Sequence, residues 1–256
     1  MSSSRALSFG SVAATYERFR PGYPDALVDA VLAYAGRPVR TALEVGAGTG
    51  KATRAFAARG IHVTATDPDA AMLAELRRHV PPSVTTLRAA FEDLPLTERR
   101  DLVLAAASLH WTEPLGRWER MAALLHPEGT VASFGGQLHL ADPRVEQDVR
   151  AARAEHLVED GFPSPDGTAD EQAETAMEWP GTELLVSDLF TDVRQVVVER
   201  RLEQSREEYV GHLSTISAYL QLSPDVRALV LDRIRQALPE RVVLDGDLTL
   251  HLARRA

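Results

Sequence analysis

The sequence predicts an α/β protein: a three-layer α/β/α sandwich around a mostly parallel seven-stranded sheet, with an antiparallel edge strand and helical cap elements. Two observations carry this prediction. From residue 40 to about 136, short apolar and β-branched runs alternate with helical patterns, which means a parallel sheet covered on both faces. Two more strand patterns follow, separated by a helical pair, and they close the sheet through an antiparallel return. With 256 residues, 45% of them hydrophobic, the chain is long enough to bury one large core.

Residues 1–39 are read as an N-terminal helical cover. Phe9, Val12, Ala13, Tyr16 and Phe19 fall at helical spacing, and Arg20-Pro21-Gly22-Tyr23-Pro24 ends that helix. A second helix over 26–34 is closed by Gly36. The pair either packs as plain structure or covers a pocket, with Tyr16 and Arg20 pointing inward.

Residues 40–136 form the core unit. Its first strand, over 41–45, breaks into Gly46-Ala47-Gly48-Thr49-Gly50, and a helix over 51–59 stops at Gly60. A second strand, 61–67, ends in Asp67, and Pro68-Asp69 start a helix carrying Met72, Leu73 and Leu76 on one face. Further strands are expected over 84–90, 101–108 and 129–134, with a helix over 114–125 before the last. Residues 142–185 read as a helical insertion or cap: a helix over 145–158, a Gly/Pro break over 161–167, and a capping-box pattern at Thr168 and Glu171. It serves either as a lid on the carboxyl rim of the sheet or as a solvated decoration. Residues 194–256 complete the sheet with a strand over 194–202, helices over 205–220 and 226–238, and a strand over 248–253. Ser205 with Glu208 forms a capping box, and Ser223-Pro224-Asp225 supplies the second cap. The whole chain, 1–256, is read as one domain.

Composition narrows the function. Lys and Arg number 28 against 37 Asp and Glu, a net charge of −9, which argues against a nucleic-acid backbone as partner. There are no cysteines, hence no disulfides and no thiolate metal site. No apolar run reaches signal-peptide or membrane-span length, so a cytoplasmic protein without membrane association is expected. The histidines show no ligand spacing, so no metal is expected. Oligomeric state is not readable.

The glycine turn is the centre of the functional reading. Glycines at a strand-to-helix junction allow positive φ and close approach of a ligand, and the helix that follows presents unpaired N–H groups. Ligands of parallel sheets bind at the carboxyl ends, where strand order reverses. That places residues 46–50, Asp67, Glu92-Asp93 and 108–111 on one rim. An acid about 20 residues past the glycines suits a ribose diol, in a nicotinamide dinucleotide or another nucleoside. A dinucleotide turn needs G-x-G-x-x-G; here Gly50 comes one position early and Lys51 stands where the last glycine belongs. No G-x-x-x-x-G-K-[ST] triphosphate loop is present either.

Leu43-Glu44-Val45-Gly46-Ala47-Gly48-Thr49-Gly50 resembles motif I of the class I S-adenosylmethionine (SAM) dependent methyltransferases, of methyltransferase type 11 and Rossmann-like fold. Asp67 is similar to that family's ribose-binding acid, and Phe91-Glu92-Asp93-Leu94-Pro95 to its adenine-contacting segment. Residues 101–111 with Leu125-His126-Pro127-Glu128-Gly129 resemble its fourth-strand region and L-x-P-G-G turn, with Glu128 replacing the first glycine. Arg20-Pro21-Gly22-Tyr23-Pro24 and His110-Trp111 further resemble the small-molecule subgroup that includes trans-aconitate methyltransferases.

The resemblance implies SAM as cofactor, S-adenosylhomocysteine as product, and these roles. Gly46 and Gly48 let the backbone approach the methionine part, Ala47 and Gly50 belong to the same cofactor-binding turn, and Glu44 helps organise the loop through hydrogen bonds. Asp67 takes the ribose, Pro68 and Met72 flank the adenine, and Asp93 or Glu92 accepts from its amino group. Ser108 sits by the sulfonium. Met72 reads equally as core packing, and Asp67 also as a helix cap. Tyr16, Arg20, His110 and Trp111 would face a small-molecule acceptor, methylated by in-line displacement, with a carboxylate or hydroxyl oxygen favoured. His110 is then a general base for an alcohol, phenol or amine, or a structural or solvent-exposed histidine. Arg20 orients a carboxylate, or pairs with Glu17 or a neighbouring acid. A nucleic-acid acceptor is disfavoured because the fourth strand ends in Ser-Leu-His-Trp and not Asn/Asp-Pro-Pro-Tyr/Phe. The alternatives are a SAM-binding protein without methyl transfer and, more distantly, an NAD-dependent oxidoreductase.

Overall fold

The computed structural model describes residues 7–157 and 177–256. Among these residues ten strands form two sheets: β1 (Thr41–Val45), β2 (His62–Asp67), β3 (Thr85–Arg88), β4 (Arg100–Ala106), β5 (Leu125–Gly135), β6 (His139–Leu140), β7 (Phe190–Val198), β8 (Arg201–Ser205), β9 (Arg241–Asp245) and β10 (Leu248–Arg255). The main sheet has seven strands in the order β3-β2-β1-β4-β5-β10-β7. Strands β1 to β5 pair in parallel, and β10 runs antiparallel to both β5 and β7. The predicted mostly parallel seven-stranded sheet is what forms. The reversed strand, β10, is second from the edge, and β7 is outermost. Strand order reverses between β1 and β4, so the crevice for a ligand opens at the carboxyl ends of those two strands.

Helices α1 (Ala13–Phe19), α2 (Asp25–Ala35), α3 (Lys51–Ala57) and α4 (Ala70–Leu76) precede α5 (Arg117–Ala123), α6 (Pro143–Arg153), α7 (Gly181–Leu185), α8 (Arg206–Leu213), α9 (Ser217–Leu220) and α10 (Pro224–Ala237). One sheet face buries Leu102, Leu104 and Phe134 against Leu27, Val28 and Val31 of α2 and Phe56 of α3. Phe56 stacks on Phe134 at 6.2 Å. The opposite face buries Val103, Ala105 and Val131 against Met121 and Ala122 of α5 and Leu184 of α7. Fully burying one such side chain is worth about 1.5–3 kcal/mol, so this two-faced core dominates the stability.

Beyond the carboxyl rim stands a second sheet, in the order β6-β9-β8. It shares a core with α6, α8, α9 and α10 through Val149, Tyr209, Leu213, Tyr219, Val230, Ile234 and Leu244. Its strands join the main sheet through the short links 136–138, 199–200 and 246–247, all at the rim of β5, β7 and β10. This layer corrects the sequence reading at several points. The strand expected over 194–202 is two strands in different sheets, divided at Glu199-Arg200, where the Arg200 amide donates to Asp247 Oδ1 at 2.7 Å. Strands β6 and β9 were not anticipated. The helix expected over 205–220 divides into α8 and α9, although the Ser205–Glu208 capping box forms as read. Ser223 stands at the N-cap of α10 without a side-chain cap bond, and Pro224 takes the first turn.

The described parts of 142–185 separate likewise. Helix α6 packs on α10 within the second layer, and α7 covers the main sheet and not the rim. The predicted Thr168–Glu171 capping box lies outside the described residues.

Strand β5 starts at Leu125, earlier than the expected 129, because 125–129 forms an irregularity inside the strand. Gly129 is required there, since a Cβ would come within 2.8 Å of the His126 carbonyl. Glu128, exposed, holds φ +59°, a conformation that L-residues adopt at a cost. Glu128→Gly is therefore expected to stabilise the protein by up to about 1 kcal/mol, net of the added freedom of the unfolded chain. Urea unfolding midpoints check it, and a lower midpoint would contradict the strain argument.

Candidate functional site

The glycine turn is shaped as its sequence demands. Gly46, Gly48 and Gly50 hold φ of +66°, +55° and +83°. At Gly46 a Cβ would lie 2.6 Å from Ser108 Cβ, so the turn and the end of β4 touch only because no side chain intervenes. Ser108 Oγ donates to the Val45 carbonyl, tying together the two strand ends at the reversal point. At Gly48, by contrast, a Cβ would meet nothing within 4 Å, so open space lies beside the turn. Ala47 is buried and its amide donates to the Thr66 carbonyl at 2.8 Å.

Two carboxylates underlie the turn. Asp67, 8% exposed, accepts from the Gly48 amide at 2.9 Å and the Asp69 amide at 2.8 Å. Burial pushes its pKa up, against the pull of those two amides. A carboxylate offers about four acceptor sites, so capacity for two further donors remains. The cap of α4 is Asp69, which accepts from Ala71 and Met72, so Asp67 itself does not cap that helix.

Glu44 is fully buried and accepts from Thr53 Oγ1 of α3. Burial raises its pKa to about 8, the Thr53 bond pulls it down, and Asp67 adds to the rise. Since the folded value exceeds the unfolded one, the stability associated with Glu44 is fully present below its unfolded pKa and is lost as pH rises through about 8. Glu44→Gln is expected to flatten this fall between about pH 5 and pH 8 by a few kcal/mol, because one proton held more tightly in the folded protein is worth about 1.4 kcal/mol per pH step across that window. Denaturation across that range checks it, and an unaltered slope would show that Glu44 is not the group responsible.

The other predicted residues scatter in their settings. Pro68 is half-buried, its carbonyl taken by Arg88 Nε at 3.1 Å. Met72 is buried, 4% exposed. Glu92 Oε1 accepts from the Glu113 amide at 2.7 Å, so this acid helps hold the loop after β4. Asp93 is exposed beside it. His110 is exposed and Trp111 half-buried, their rings 4.8 Å apart. Ala107, unremarked in the sequence, holds φ +53° where β4 ends, a strained position beside the rim.

Over the turn lies α1. Glu17 receives Arg54 Nη2 at 2.8 Å and lies 3.5 Å from Lys51 Nζ, which also donates to the Glu17 carbonyl at 2.7 Å. The lysine in the place of a dinucleotide glycine thus fastens α1 to the start of α3. Burial raises the Glu17 pKa, but Thr49, Lys51 and Arg54 outweigh it and hold the carboxyl below its usual range. One residue past α1, Arg20 donates through Nε to Thr215 Oγ1 at 2.9 Å and through Nη2 to the Thr215 carbonyl at 3.3 Å. Its guanidinium stands 5.2 Å from the Tyr16 ring centroid. The expected alternative, an Arg20–Glu17 pair, does not form, because Glu17 is engaged by α3. Among the described residues Arg20 forms no ion pair with a carboxylate. Phe19 and Gly211 meet so closely that a Cβ on Gly211 would lie 2.6 Å from the ring. Helix α1 is therefore wedged between the glycine turn and the second layer. Thr215 and the pairing of Glu17 with α3 were missed in the sequence, which gives no local sign of either contact.

Among the described residues, no three His, Asp or Glu side chains cluster as a metal site, and no helix is long and apolar enough to cross a membrane.

Comparison with known proteins agrees with this geometry. Residues 43–133 match the family model described as a methyltransferase domain. Uncharacterized methyltransferases of Mycobacterium bovis and Mycobacterium tuberculosis are 32% identical over 236 residues, covering 91% of this chain and 86% of theirs. A protein from Anaeromyxobacter dehalogenans, described as a type II methyltransferase, superposes with a TM-score of 0.61 at 26% identity, over 92% of this chain and 98% of that one. A protein from Anabaena variabilis, described as a methyltransferase from an antibiotic biosynthesis pathway, shares the fold (TM-score 0.59, 18% identity, 91% and 98% covered). The chain belongs to the class I SAM-dependent methyltransferases.

Proposed function

We propose that the chain methylates an oxygen of a small-molecule acceptor, a carboxylate favoured, and that Arg20 orients that acceptor over the glycine turn. The observation that carries the reading is the setting of Arg20. Thr215 takes its Nε and one Nη2 proton, so the guanidinium is fixed while its Nη1–Nη2 edge stays available for a two-pronged carboxylate contact.

The residues present suit SAM. The open space at Gly48 would accept a ligand against the backbone, and Asp67 has acceptor capacity for two ribose hydroxyls. Asp93 is the better partner for the adenine amino group, because Glu92 already serves Glu113. Gly46, Ala47 and Gly50 shape the turn, Glu44 supports it, Pro68 and Met72 line the adenine side, and Ser108 stands at the reacting end. Bound SAM supplies a methyl on a sulfonium that is its own leaving group, suited to in-line displacement. The chain has to hold the nucleophile in line and exclude water, which can lower the barrier by roughly 7–11 kcal/mol. A carboxylate needs no proton removed, so the exposed His110 is not required as a base, and with Trp111 and Tyr16 it would line the acceptor's entry. Helix α1, wedged between turn and second layer, favours an acceptor small enough to pass beneath it.

A screen of small carboxylic acids, phenols and amines with methyl-labelled SAM tests the reading. Label on carboxylic acids is expected. Label on amines alone would overturn the oxygen assignment, and no label on any acceptor would favour a SAM-binding protein without transfer. Tryptophan fluorescence should respond to SAM and not to NADH.

A further inference from the structure

Thr215, which holds Arg20, also bonds His212: its Oγ1 donates to the His212 carbonyl at 2.7 Å. His212 sits on the last turn of α8, 5% exposed, its ring lying nearly parallel to Tyr209 with 6.5 Å between centroids. Its Nδ1 is buried without a hydrogen-bond partner. A buried polar atom left in that state calls for an explanation, and a ligand is one. Burial first, and then the charges of Arg20 and Arg200, hold this imidazole well below its ordinary pKa, so it stays neutral at physiological pH.

The same two arginines act on Tyr23, whose phenol is raised by burial and also feels Tyr16 and Glu44. Arg200 is positioned by its own bonds, Nε to the Gly246 carbonyl at 2.8 Å and Nη1 to the Gly22 carbonyl at 2.9 Å. Three segments distant in sequence, 16–23, the β7–β8 link and the end of α8, thus bring two guanidiniums, two phenols and one neutral imidazole to one region between the glycine turn and the second layer. The Arg20–Tyr23 motif noted in the sequence is part of this convergence.

We propose that His212 is a second acceptor-binding residue and that the acceptor is a small hydroxy acid, its carboxylate at Arg20 and its hydroxyl at His212. The assignment rests on the Arg20 reading above. A hydroxyl is the matching group because a neutral imidazole offers one lone pair and one N–H, and a hydroxyl can both give and take, whichever tautomer is present. An ammonium at this place would be repelled by Arg20 and Arg200. A second carboxylate could use only the N–H and would leave the lone pair opposed. Sites built around a buried hydrogen-bonding group reject analogues that lack the partner, because the protein group is then stranded.

The test compares matched acids with and without the hydroxyl, 3-phenyllactate against 3-phenylpropionate and malate against succinate, using methyl-labelled SAM. The wild type is expected to favour the hydroxy member by about tenfold or more in kcat/KM. In H212F that ratio should collapse toward one, whereas H212Q, which keeps a hydrogen-bonding amide, should retain part of it. Melting temperature and SAM affinity report whether each variant is folded. Should H212F fail to fold, the wild-type ratio and H212Q still decide. Transfer to acids with no hydroxy preference, or a preference that survives in folded H212F, overturns the His212 assignment and leaves the Arg20 reading standing. Absence of transfer to every acid overturns both.

Discussion

Asp67→Ala is expected to weaken SAM binding by about a hundredfold or more while the protein remains folded. Two ribose hydroxyls donating to one ionised carboxylate make charge-assisted bonds of about 1.5–3 kcal/mol each, and losing both exceeds two decades in affinity. The same carboxylate accepts from the Gly48 amide, so its removal also releases the backbone that the cofactor would lie against. The fold should survive because the ligand-free protein carries the cost of burying this acid, seen in its raised pKa, and alanine relieves that cost. Asp67→Asn, with one carbonyl oxygen still in place, should lose about tenfold only. Titration followed by tryptophan fluorescence or calorimetry, beside melting curves, makes the comparison. Affinity unchanged in Asp67→Ala would remove the ribose assignment, and with it the argument that the acid at the end of β2 selects a nucleoside ligand.

How much of this was legible beforehand follows from which constraints are local. The glycine turn could be read directly: three residues must hold positive φ, and β1, α3 and β2 around it have unambiguous periods. Asp67 announced itself by its place at a strand end, and the Ser205 capping box by a spacing that acts within one turn. The second layer could not be read so. An uninterrupted β-branched run from Val196 to Val198 leads through Glu199-Arg200 into another sheet, and no local propensity marks a change of partner. Strand β9 alternates buried and exposed residues over only five positions, beside a helix end that masks it. The proposed acceptor side depends on still longer reach. Arg20 and Thr215 are 195 positions apart. Arg20 was readable as a residue of interest from its rigid Pro-Gly setting, but its partner was not. Glu17 looked like the natural mate for Arg20 on one helix, and Lys51 and Arg54, from the next unit, claim it. His110, prominent in the sequence, proves exposed, and the buried His212 carried no signal beyond a single letter on a short helix whose sequence separates no apolar face.

Arg20→Ala is expected to lower kcat/KM for carboxylic-acid acceptors by about 10²–10³-fold, with SAM affinity altered by less than about threefold. A guanidinium meeting a carboxylate through two parallel bonds in a partly dry site is worth several kcal/mol, and about 1.4 kcal/mol corresponds to each tenfold. Arg20→Lys should recover little, because an ammonium cannot keep both Thr215 bonds and still present two donors in one plane. The seam between α1 and the second layer also runs through Arg20, so loss of docking has to be separated from loss of acceptor binding. Thr215→Val does this: it removes the hydroxyl that positions Arg20 yet leaves the guanidinium, and the expected loss is only about three- to tenfold. A neutral acceptor, if the screen supplies one, gives the second control, since docking affects both acceptor types and charge recognition only one. Equal losses on acid and neutral acceptors would assign Arg20 to the seam alone. A steep loss confined to acids, with Thr215→Val between Arg20→Ala and the wild type, is the pattern that a fixed, carboxylate-facing guanidinium requires.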